Sequence, residues 1–147
     1  MNTRWTCVVS MIALAGCDSG FGKYRRSEAE INLVAINKAA DAEFSEKGFY
    51  PVGTVGPTPG QSCCAFPSKK CPVVASDWQG VPIWDALGFE QHRPFYFRYA
   101  YTSDGKRFTA TAVGDLDCDG TTVTYTLEGD GTTGAPTSTL SKPARAD

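Results

Sequence analysis

Residues 27–48 read SEAEINLVAINKAADAEFSEKG, and this stretch decides the fold. At 100° per residue, Ala29, Leu33, Ile36, Ala40 and Phe44 fall within an arc of about 80°, a single apolar stripe for a core. Ser27 and Glu30 stand in capping-box spacing, in which the Ser27 hydroxyl bonds the Glu30 amide and Glu30 reaches back. Gly48 ends the helix and Pro51 prevents its return. The spacing therefore predicts a helix from Ser27 to about Lys47. Ile31, Ala35, Ala39 and Ala42 form a second, weaker strip whose small residues let another element come close. Glu28, Glu30, Asp41, Glu43 and Glu46 are expected to solvate the outer face.

Downstream of the helix, Pro51–Ser76 is loop-like, with Pro57, Pro59, Pro67 and Pro72 among Gly53, Gly56 and Gly60. Trp78, Trp84, Leu87 and Phe89 are expected to pack against the helix, Trp78 with the weakest signal for burial. A β-meander follows. Phe95, Phe97, Tyr99 and Tyr101 alternate onto one face, and Thr102-Ser103-Asp104-Gly105 makes a turn. Phe108, Ala110 and Ala112 alternate again; Val123, Tyr125 and Leu127 mark a further strand beyond an acidic turn. The apolar face of such an antiparallel sheet must be covered, and the long helix is available. The expected class is α+β, one long N-terminal helix packed on a three- to four-stranded antiparallel sheet. Residues 27–131 would form this domain, and residues 132–147, rich in Thr, Ser, Pro and Ala, a flexible tail.

The chain has 147 residues, 20% charged, with a net charge of -2 and no Lys/Arg block, which argues for one domain and against a nucleic-acid surface. Residues 1–16 have the layout of a secretory signal, Arg4 before the short apolar run Trp5–Ala15. That run is too short for a spanning helix, which needs about 20 apolar residues. Leu14-Ala15-Gly16-Cys17 resembles the lipobox of bacterial lipoproteins. The resemblance implies a diacylglyceryl and acyl lipid on Cys17, cleavage just before it, and a tether over residues 17–26. The domain would sit in the cell envelope, lipid-anchored to the inner or outer membrane, facing the periplasm or the cell surface. Asp18 resembles an inner-membrane retention signal of some Gram-negative lipoproteins.

The order of elements resembles the head of a type IV pilin or type II secretion pseudopilin. The likeness rests on Arg26-Ser27-Glu28-Ala29-Glu30 with Asn32-Leu33 and Ala35-Ile36, closing at Lys47-Gly48-Phe49-Tyr50-Pro51. It continues in Trp84-Asp85-Ala86-Leu87-Gly88-Phe89, in Pro94-Phe95-Tyr96-Phe97, and in the run Phe108–Asp117. It covers about Lys23 to Gly131. The apolar half-helix that holds pilins in a filament is missing here, and a lipobox stands in its place. The resemblance implies a pilin-like head on a membrane-anchored, non-enzymatic lipoprotein, a structural or interaction component associated with a type IV pilus or type II secretion apparatus. Its partners would be the membrane, through the lipid, and proteins of that apparatus; no nucleic-acid or small-molecule substrate is evident. The alternative is a calcium-stabilised surface binding module or adhesin unconnected with filaments.

Asp115-Leu116-Asp117-Cys118-Asp119-Gly120-Thr121 carries the spacing of many calcium loops. Alternate carboxylates converge while Gly120 allows the bend, and Ca²⁺ takes 6–8 oxygens. Asp115, Asp117, Asp119 and Thr121 are the candidate metal ligands, with backbone carbonyls, water, Glu128 or Asp130 completing the set. Thr126 stands where an EF-hand needs its bidentate acid, so the loop is not an EF-hand. Asp and Gly also favour a plain hairpin turn. Once Cys7 is removed and Cys17 lipidated, Cys63, Cys64, Cys71 and Cys118 remain, and an oxidising compartment makes two disulfides of them. An adjacent pair is strained as a mutual bridge, so Cys63 and Cys64 are expected to bond separately to Cys71 and Cys118, in either pairing. His92, the sole histidine, has no nucleophile or orienting acid in a recognisable motif and is expected on an exposed connection.

Overall fold

A computed structural model describes residues 20–144. The signal segment and Cys17 lie outside the described residues. Helix α1 runs over Gly20–Lys47, beginning well ahead of Ser27. Lys23, Tyr24, Arg25 and Arg26 are adequate helix formers and let the helix continue backwards. The capping box is accordingly not made. The Ser27 hydroxyl donates to the Tyr24 carbonyl at 2.7 Å, and Glu30 receives Lys142 at 2.7 Å. At the other end Gly48, with φ of +77°, ends the helix, its N–H donating to the Phe44 carbonyl at 2.8 Å.

The apolar stripe is where the periodicity places it. Ala29, Leu33, Ile36, Ala40 and Phe44 are all buried. The second strip meets no other element along most of its length: Ile31 is 66% exposed, and of the four only Ala39 packs against the core. One of the expected surface acids also behaves otherwise, because Glu28 turns its carboxylate inward to the backbone of Tyr96 and Phe97.

The expectation of three to four strands is corrected to five. The antiparallel sheet has the order β1 (Gly53–Thr58), β2 (Arg98–Ser103), β3 (Arg107–Gly114), β4 (Val123–Asp130) and β5 (Thr137–Ser141). Both additional strands are edges, and each hides from a pattern search for its own reason. Strand β1 contains Gly53, Gly56 and Pro57 and pairs with β2 through an irregularity between Val55 and Thr58. Proline and bulges are tolerated at a sheet edge, where one side of the backbone needs no partner. Strand β5 comes from the segment expected to be a flexible tail. It is held by backbone pairing to β4 from Asp130↔Thr137 to Thr126↔Ser141, and its residues are mostly exposed. A strand that buries only the side of Leu140 leaves no alternation to read.

The central strands follow the expected alternation. Tyr99, Tyr101, Phe108, Ala110, Ala112, Tyr125 and Leu127 face α1 and are buried. Phe108 lies directly across from Gly129, where a Cβ would stand 2.0 Å from the phenyl ring. Glycine is therefore required there by the bulk of its neighbour. The short helix α2 (Pro82–Leu87) caps one side of the core, and its Trp84 indole N–H donates to the Thr58 hydroxyl of β1 at 3.0 Å. Trp78, the aromatic with the weakest burial signal, is 1% exposed and packs its ring against Trp84, Phe89 and Phe95.

Candidate functional site

The functional features gather at the end of the domain where α1 begins. Strand β3 ends there at Gly114, β4 starts at Val123, and the acidic turn lies between them. Within the turn each carboxylate accepts a nearby amide: Asp115 those of Cys118 at 2.7 Å and Gly120 at 3.0 Å, Asp117 that of Asp119 at 3.1 Å, Asp119 that of Thr121 at 2.6 Å. Amide hydrogen bonds stabilise the ionised form. The Thr121 amide and then its hydroxyl hold the Asp119 carboxyl below its ordinary value. One carboxylate oxygen from each of Asp115, Asp117 and Asp119 comes within 4.8 Å of the others. Asp115 is half-buried while Asp117 and Asp119 are exposed.

These three acids fit a hard divalent cation in charge and in donor type, and they supply part of the oxygen shell Ca²⁺ takes. The other expected ligands do not join them. The Thr121 hydroxyl is turned to Asp119. Glu128 and Asp130 lie farther along β4, which starts at Val123; at roughly 3.3 Å per residue Asp130 is on the order of 23 Å away. Asp130 instead pairs with Arg107 at 2.8 Å at the opposite end of the sheet. Cys64 and Cys118 also lie beside Asp115, but as a disulfide they have no thiolate to offer.

The four cysteines form two disulfides, Cys63–Cys71 and Cys64–Cys118. The first closes a short loop whose Cys71 exchanges backbone hydrogen bonds with Phe95 at 2.8 and 3.2 Å. The second ties that loop to the acidic turn. Adjacent residues thus point to opposite partners through the 3-10 turn Cys63–Ala65, which is capped by the Ser62 hydroxyl.

Beside this covalent frame a groove of about 740 Å³ opens between α1 and the loops carrying Lys70 and Gln91–Tyr96. Tyr24, Glu28 and Ile31 form its helix wall; Lys70, Arg93 and Tyr96 lie opposite. Glu28 is the residue that sequence reasoning missed. Its carboxylate accepts the amides of Tyr96 (3.0 Å) and Phe97 (3.2 Å) and the Tyr99 hydroxyl (3.2 Å). Burial raises its pKa, and this outweighs the pull of those donors and of Lys70 in the other direction. Tyr99 in turn accepts from the Asn32 side chain at 2.7 Å, and burial together with the Glu28 charge drives its phenol pKa well upward. No periodicity marks Glu28, which lies off the apolar stripe. Its role comes from two amides just ahead of β2, where sheet pairing has not yet started.

Arg25 joins the groove to the acidic turn. Its guanidinium lies 5.0 Å from the centre of the Tyr96 ring and donates to the Leu116 carbonyl. Lys70 lies over the same ring at 5.1 Å. His92 is exposed on the adjoining loop, its Nδ1 3.9 Å from Glu90. A scan against protein-family models and searches of curated proteins and of solved structures return no match to this chain.

Proposed function

We propose that the chain is a lipid-anchored, non-enzymatic interaction protein of the bacterial envelope. Cys17 would carry the anchor, and the domain would be displayed to protein partners of a pilus or secretion apparatus. The observation that carries this reading is the lipobox-like Leu14-Ala15-Gly16-Cys17, which stands shortly ahead of the helix described over Gly20–Lys47. Among the described residues no helix is long and apolar enough to cross a membrane. Acyl chains contribute about 0.8 kcal/mol for each buried methylene, so a multiply acylated cysteine holds a domain on a bilayer by itself. The link to pilus or secretion machinery rests on the pilin-like strings described above.

Mass spectrometry of the mature protein from its own cells tests the anchor. An acylated N-terminal Cys17 is expected, with processing blocked by globomycin. A mature chain beginning elsewhere, or free of acyl groups, removes the proposal. Cross-linking in intact membranes tests the partner, and capture of pilus or secretion components is the expected result.

The convergence of Asp115, Asp117 and Asp119 favours a second reading, a calcium-stabilised surface binding module independent of filaments. On this reading millimolar Ca²⁺ raises the melting temperature, and Asp117→Asn with Asp119→Asn abolishes the rise. An unchanged melting temperature removes it.

A further inference from the structure

From the groove and its surroundings we infer that the domain does not stand upright on its anchor. It leans, laying the outer face of α1 and the groove mouth on the anionic headgroups of the bilayer. The inference rests on the lipid anchor proposed above and adds an orientation and a lipid preference to it.

Three observations point the same way. The first is reach: three residues from Cys17 to Gly20 span at most about 11 Å, and Tyr24 lies one turn into α1. The groove is therefore confined near the headgroup layer. The second is the composition of the exposed face. Tyr24 is 64% exposed, Ile31 66% and Val34 44%, and they fall on the side of α1 opposite the buried stripe. A tyrosine beside aliphatic residues suits the boundary between headgroups and acyl chains. The third is charge. Lys23 on the first turn of α1, Lys70 and Arg93 come from three separate segments to one end of the domain, and Lys38 extends the helix face. Basic side chains close to an anionic leaflet are drawn to it. Of the nearby acids, Glu30 is paired with Lys142, while Glu28 is turned inward to the Tyr96 and Phe97 amides and Glu90 accepts from the Gln79 side chain. Arg25 links the groove to the acidic turn, contacting both Tyr96 and Leu116, and its charge offsets part of that of Asp115, Asp117 and Asp119.

The test uses the full mature lipoprotein reconstituted in vesicles of phosphatidylcholine alone or mixed with phosphatidylglycerol. Lysine reactivity is followed by reductive methylation and mass spectrometry. Lys23 and Lys70 should react at least threefold more slowly in the anionic vesicles, while Lys47 and Lys106 at the far end keep one rate in both. High salt should remove the difference, and so should Ile31→Glu, a change at an exposed position that leaves the circular dichroism spectrum unchanged. Equal Lys70 rates in the two kinds of vesicle, or protection that survives Ile31→Glu, overturns the docking. Protection that appears in phosphatidylcholine and grows with protein density assigns the face to a second copy of the chain, and also overturns it. Failure to float with either vesicle, or a Cys17 without acyl mass, is failure of the anchor and is read separately.

Discussion

The two ends of this domain share ring packing and differ in what is added to it. At the far end, where α1 finishes, the contacts are aromatic. Phe44 lies 4.7 Å from Tyr50, Tyr50 lies 4.8 Å from Phe108, and Phe108 stacks on Tyr101 at 5.4 Å. Backbone hydrogen bonds from Tyr50 to Gly105 and from Gly131 to Lys106, both 2.9 Å, close the chain around them. At the near end, where α1 starts, rings still pack, Phe97 on Tyr125 at 5.7 Å and Trp78 on Phe95 at 5.8 Å. Two disulfides and the half-buried Glu28 carboxylate are added to them there, and loops replace strands. Loops lack the ladder of backbone pairs that orders a strand, and covalent links supply that order by restricting the unfolded chain.

The largest expected effect comes from cutting the link that defines the near end. Cys64→Ser with Cys118→Ser opens a span of 54 residues and should cost about 4 kcal/mol by loop entropy. Cys63→Ser with Cys71→Ser opens a span of 8 residues and should cost about 2.5 kcal/mol. Denaturant melts of the two variants check the order; a reversed ranking would show that the short loop, and not the staple to the sheet, organises this end. Next in size is Glu28→Ala. It strands the Tyr96 and Phe97 amides and should cost on the order of 2 kcal/mol, with hydrogen exchange rising at those two amides first.

Glu28 at the near end and Asp130 at the far end differ in the sign of their pH dependence. Burial holds the Glu28 pKa above its ordinary 4.5. The native state therefore keeps that proton longer than the unfolded chain does. Stability from this source is full below the unfolded pKa and is lost as pH rises through the folded one. At the far end the Thr132 hydroxyl, then Arg107, lowers Asp130 to about 2. Stability there is present above the ordinary carboxylate pKa and is lost as pH falls toward that value. Melting temperatures from pH 2 to 7 should show a flatter acid limb in Asp130→Asn and a flatter rise-side decline in Glu28→Gln. Parallel profiles for wild type and both variants would erase the distinction between these two carboxylates.

The smallest expected effect is Tyr50→Phe. The Tyr50 hydroxyl is buried without a hydrogen-bond partner among the described residues. Its removal should leave stability unchanged or raise it by up to about 1 kcal/mol. The same change should remove one phenol that ionises late in the alkaline titration, since burial pushes Tyr50 up to about 12.

What was legible in the sequence follows from repetition. The stripe from Ala29 to Phe44, the alternation in β2, β3 and β4, and the separate bonding of Cys63 and Cys64 all come from patterns in which several residues agree. The same holds for the acidic spacing at Asp115, Asp117 and Asp119, although the sequence offered Glu128 and Asp130 as further ligands and strand length separates them from the turn. The capping box at Ser27 misled because a local motif does not stop a helix whose preceding residues also favour one.

By itself, then, the sequence determined which faces are apolar, since periodicity sorts side chains between water and core before any partner is known. Only the tertiary structure decided the edges and the polar contacts. Strands β1 and β5 exist because β2 and β4 present unpaired backbone to them, a property of the neighbour and not of their own residues. The Glu28 carboxylate turns inward for the same reason: two amides ahead of β2 need an acceptor, and the fold alone brings α1 close enough to supply one.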